Sequence, residues 1–183
     1  MAWVWSLQAE KFYGHRIRGF DKIPDKGGAV ICYYHGPIPV DYLLLVCHTL
    51  LRKGRIIRSI VDRVMIRMPG FEMVGRACGA HTSNREQCTE LLKQVFSFIT
   101  ISVRLSAIGN IFFAFFHQGH LIGVAPGGGY ECQLGTHQYP VMWKKRKGFA
   151  QIALNAQVPI IPVFTENIRE AFVTMETGGW LWR

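Results

Sequence analysis

Three short apolar runs, each bounded or broken by glycine or proline, punctuate the chain. Ala29 to Tyr34 lies between Gly27-Gly28 and Gly36-Pro37, and His120 to Ala125 runs straight into Pro126 and three glycines. The third, Val158 to Phe164, contains Pro159 and Pro162. Apolar, β-rich runs of this length between turn formers read as buried strands. The prolines place the third at an edge or irregular position, because proline has no N–H to give a sheet ladder. Between the runs, Asp41 to Lys53 begins acidic and ends basic, as a helix dipole favours, with Pro39 suited to the first turn. Ser83 to Lys93 opens with Ser83 and Glu86 in capping-box spacing, and Lys147 to Gln157 reads as a further helix. Ile56 to Met68 is apolar with regular charges and stops at Pro69-Gly70. Strands alternating with helices predict an α/β domain with a mixed, largely parallel sheet flanked by helices. Sites in such sheets gather at the carboxyl ends of the strands, where both His35 and the glycine-rich turn fall.

One segment breaks the pattern. Val95 to Phe116 carries Arg104 as its only charge and is about as long as a membrane span, although Ser97, Thr100, Ser102, Ser106 and Asn110 weigh against that reading. Excising residues 95–118 would leave "LLKQGHLIGVAPGG" in frame. Two readings stand: the translation of a retained intron or gene-model error, and a membrane-dipping insertion. The rest of residues 1–183 suits a single domain.

Composition narrows the class. With 49% hydrophobic and 18% charged residues, the chain is expected to be globular, not disordered. A net charge of +9 calls for an acidic partner: nucleic acid, an anionic membrane surface or a phosphorylated substrate. The five cysteines are odd in number and include no C-x-x-C pair, which argues against a disulfide framework and against zinc. The histidines show no metal-ligand spacing, so no metal is expected. Met1 to Leu7 is apolar but has no basic n-region or cleavage pattern, so no signal peptide is read.

Three stretches are able to carry chemistry. In "VICYYHGPIPVD" a histidine ends a strand and an aspartate opens the next helix. The carboxylate would fix the imidazole tautomer, and the free ring nitrogen would take a proton from an attacking hydroxyl. On this pattern alone the plainer reading is that His35 caps a strand and Asp41 starts a helix. In "APGGGYE" consecutive glycines let backbone N–H groups converge on an anion or oxyanion, the alternative being an ordinary tight turn. No Gly-Lys-Ser/Thr follows and no G-x-G-x-x-G occurs, so it is not a nucleotide loop. Lys144 to Lys147, after Trp143, reads as a solvated basic face or a surface at a lipid headgroup layer. No recognisable nucleic-acid-binding module accompanies it, so nucleic acid is not the expected partner.

Taken together, "YYHGPIPVD", "APGGGYE" and "VPIIPVF" resemble the blocks of the glycerolipid acyltransferase superfamily, in order. "MPGF" and "RKGFAQIAL" resemble its intervening segments, and the likeness runs over most of Ile23 to Phe172 outside the apolar insert. The nearest branch is the diacylglycerol acyltransferase-like transmembrane protein 68 group. The resemblance implies an acyl-CoA-dependent O-acyltransferase acting on a glycerolipid hydroxyl at the cytosolic face of the endoplasmic reticulum membrane. Acyl-CoA would be a co-substrate, with no cofactor. By position, His35 would be the base, Asp41 its orienting partner, and Gly127, Gly128 and Glu131 the substrate-binding block. The arginine of phosphate-using members is missing from that block, which favours a neutral mono- or diacylglycerol acceptor over a lysophospholipid.

Four features depart from the family. One residue more than usual separates His35 from Asp41, and Tyr130 stands where the nearest branch tends to have arginine. By the resemblance, amino-terminal membrane helices and a further carboxyl-terminal part of the domain are expected, and residues 1–183 are read as containing neither. The competing expectation is therefore a catalytically inactive, truncated, membrane-associated lipid-binding protein.

Overall fold

The computed structural model describes residues 14–61, 75, 80–81, 85–92 and 119–171. The apolar segment 95–118, the "MPGF" block and the capping box at Ser83 lie outside the described residues. Five strands are seen: β1 (Ala29–Tyr33), β2 (Ile57–Ile60), β3 (Ala80–His81), β4 (Leu121–Val124) and β5 (Ile160–Val163). The helices are α1 (Val40–Lys53), α2 (residues 85–92), α3 (Gly128–Leu134), α4 (Gly148–Ala156) and α5 (Ile168–Ala171). The sheet order is β3-β2-β4-β1-β5, and every described pairing is parallel. The α/β architecture expected from the pattern is thus present, and among the described strands the proline-bearing β5 lies at the edge.

β1 is buried along its whole length because both faces of the sheet are covered. Ala29, Ile31 and Tyr33 pack with Tyr42, Leu45 and Val46 of α1 on one face. Val30 packs with Cys88 and Leu92 of α2, and with Ala153 of α4, on the other. The period-two alternation of a strand therefore serves two cores at once. β2 sits inside the apolar stretch that began at Ile56, and its residues alternate between buried and half-buried.

Two close approaches fix the sheet to its helices. Tyr42 stacks on Tyr33 at 3.9 Å between ring centroids, and its hydroxyl meets Ser59 Oγ at 2.7 Å. Its ring occupies the space that a side chain on Gly123 of β4 would need. At the amino ends of the strands, the buried Arg55 guanidinium donates to the carbonyls of Pro24, Gly27 (2.6 Å) and Gly119.

Gly123→Ala therefore forces Tyr42 out of place and is expected to cost about 1–3 kcal/mol, the usual range for overpacking. Gly129→Ala, inside α3 with no atom within 4 Å of the new Cβ, is expected to be neutral or to stabilise by up to about 1 kcal/mol. Urea denaturation of the two variants checks the contrast.

Candidate active site

The parallel register brings two loops together. Cys32 of β1 pairs with Val124 of β4, so His35 and Gly127, each three residues further on, leave the same edge of the sheet side by side. Gly127 precedes α3, and Glu131 lies one turn later, its N–H facing the Gly127 carbonyl. A Cβ on Gly127 would collide with the Glu131 side chain, so glycine is required there for a steric reason. Gly128, at φ 51, adopts a left-handed backbone that glycine accepts at no steric cost.

Glu131 is fully buried and its carboxylate turns inward. Oε2 accepts from the His35 backbone N–H at 3.2 Å, and Oε1 accepts from that of Met142 at 3.1 Å. Expected among the substrate-binding residues, Glu131 here faces backbone donors and holds the histidine loop against the loop that follows α3. Gly127, buried, and Gly128, half-buried, form the turn beside it, and Gly129 and Tyr130 reach solvent. The Cys132 thiol adds a contact to Pro37 O at 3.3 Å.

The His35 ring has a specific partner. Nδ1 lies 2.7 Å from the Gly36 carbonyl oxygen. A carbonyl only accepts, so Nδ1 is the donor, and in the neutral ring this leaves the lone pair on Nε2, the tautomer a general base needs. Gly36 has no room for a side chain, since a Cβ would sit 2.6 Å from Ile168. The orienting bond that the sequence pattern assigned to Asp41 is thus made here by Gly36.

Asp41 lies in the first turn of α1, 8% exposed, with Oδ1 buried and unpartnered. Burial raises its carboxyl above the usual value near 3.8. The Thr165 side chain, the N–H groups of Tyr42 and of Asp41 itself, and the nearby His35 oppose that rise. Asp41 also acts on His15, whose ring packs against His48 at 5.7 Å between centroids. Burial lowers the His15 pKa, His48 adds to that, and Asp41 opposes it. Among the described residues, no cluster of three metal-capable side chains occurs.

Arg169 of α5, only 3% exposed, had no part in the sequence reading. Its guanidinium donates to the carbonyls of His35 (3.3 Å), Glu131, Cys132 (3.2 Å) and Gly135 (2.9 Å), and stacks on Tyr34 at 5.4 Å. One cation therefore ties the ends of β1, α3 and β5 together. Its sole sequence signal is a position just beyond the carboxyl end of a strand.

The acyltransferase family model matches residues 15–166. Proteins named "DGAT1/2-independent enzyme synthesizing storage lipids" from Bos taurus, Homo sapiens and Mus musculus are 35%, 34% and 36% identical to the chain over 179 residues, or 98% of it. The chain spans about half the length of these relatives, 46%, 47% and 46% respectively. No solved structure matches it. Among the described residues, no helix is long and apolar enough to cross a membrane. The family match covers the sheet and both loops of its carboxyl edge, and with it the chain belongs to the acyltransferase family.

Proposed function

We propose that the chain transfers a fatty acyl group from acyl-CoA to the hydroxyl of a neutral glycerolipid, mono- or diacylglycerol, at the cytosolic face of the endoplasmic reticulum membrane. The observation that carries the chemistry is His35 beside the glycine turn with Nδ1 on Gly36 O, which leaves Nε2 as a base. Nε2 takes the acceptor's hydroxyl proton while the oxygen attacks the thioester carbonyl. A carbon–oxygen bond forms, the carbon–sulfur bond breaks, and the CoA thiolate takes the proton back from the imidazolium. Asp41, close enough to act on His35, stabilises that imidazolium by its charge. Gly127 and Gly128 border the place where the carbonyl oxygen or the acceptor would lie. The names of the relatives, as enzymes that synthesise storage lipids, support a glycerolipid product.

The direct test incubates the chain with labelled acyl-CoA and diacylglycerol. His35→Ala is expected to lower transfer by about 10²–10⁴-fold, the range ascribed to a positioned general base. Transfer near the parent rate in that variant would remove the base from the mechanism.

Asp41 gives a pH prediction of definite sign. Its folded pKa is raised, so between the usual value and the raised one the folded chain keeps a proton that the unfolded chain releases. Stability therefore falls as pH climbs through that window, and the charged carboxylate remains a cost above it. Asp41→Asn is expected to flatten this slope, gaining on the parent between acid and neutral pH while losing transfer activity. Urea midpoints measured across that range show it; parallel curves for the two chains would contradict it.

A further inference from the structure

The glycine block Pro126 to Glu131 holds no cation, yet cations reach it from the next loop. Trp143 to Arg146 form a turn closed by Arg146 N–H on Trp143 O at 3.0 Å, with Lys144 at φ 51. That left-handed backbone is uncommon for lysine. It places Lys144 Nζ 3.7 Å above the Tyr130 ring, with the Arg146 guanidinium 5.3 Å from the same ring. Arg146 Nη1 also donates to Pro126 O at 2.9 Å and to Gly127 O at 2.7 Å. Just ahead of the turn, Met142 shares the Glu131 carboxylate with His35. The basic turn is therefore fixed to the candidate site from both sides.

Lys144, Lys145, Arg146 and Lys147 are all exposed. Among the described residues none of them pairs with a carboxylate. Like charges held together without counter-charges repel one another, and a phosphate would relieve that repulsion. We propose that this turn binds the phosphates of the CoA portion of the acyl donor, with Lys144 and Lys145 in direct contact and Tyr130 and Arg146 holding the turn in place. The assignment rests on the acyl-CoA reading above. A neutral glycerolipid acceptor brings no phosphate. In acyl-CoA, by contrast, the uncharged pantetheine arm separates the thioester from its phosphates, so a thioester at His35 leaves the phosphates for an exposed rim.

The test is equilibrium binding of CoA, dephospho-CoA and pantetheine to the 183-residue chain and to Lys144→Gln/Lys145→Gln. The variant is expected to bind CoA about tenfold more weakly at low salt. Dephospho-CoA should lose less, and pantetheine nothing. Lys22→Gln/Lys26→Gln removes the same charge from an exposed stretch ahead of β1, and should leave CoA affinity unchanged. Equal CoA affinity in parent and Lys144/Lys145 variant overturns the site. So does a loss confined to phosphatidylserine-containing vesicles, which would make the turn a lipid contact. Failure of the parent chain to bind CoA overturns the donor assignment as well. CoA binding that survives in His35→Ala without turnover keeps the two questions apart.

Discussion

Glu131 accepts a backbone N–H from His35 on one oxygen and one from Met142 on the other, and the carboxyl edge of the sheet is arranged around that bridge. Taking a carboxylate fully out of water costs several kcal/mol unless its oxygens are satisfied. Here they are met by donors that leave the ladder where β1 ends and the post-α3 loop passes. Arg169 brings a positive charge into the same region, but it donates to backbone carbonyls, those of His35 and Glu131 among them. The pair is linked by backbone, so a change in either residue reaches His35 through the main chain.

The same frame separates two jobs that a sequence pattern assigns to one carboxylate. The Gly36 carbonyl meets the imidazole Nδ1, while Asp41 lies close enough to feel the ring from a site whose burial disfavours charge. An imidazole whose Nδ1 donates to a carbonyl is held in position without a permanent ion pair.

Much of this was legible in the chain. Glycine and proline bracketed β1, β4 and β5, and the prolines of β5 foretold its edge position, since both effects are local to the backbone. The short strands β2 and β3 were not separable from their surroundings by periodicity. His35, Gly127 and Gly128 stood out by residue type and by their place after apolar runs. Glu131 stood out as a polar residue in the glycine block, but its acceptance of the His35 and Met142 N–H groups was not legible, because sequence does not give the direction a side chain takes. Arg169 and the grip of Arg146 on the glycine turn depend on register across the sheet, which no local pattern encodes. Tyr130, an outlier by family habit, became intelligible only once Lys144 lay over its ring.

At the far end of the sheet, Arg55 clasps Gly119 together with Pro24 and Gly27, so β4 enters the fold from a fixed point. The entropy of closing a flexible loop grows only with the logarithm of its length, so extra residues spliced in ahead of that clasp add little. Gly119 thus anchors the start of β4 whatever the length of chain ahead of it. Changes in the length of that connection fall a whole strand's length away from the His35 loop and the glycine turn.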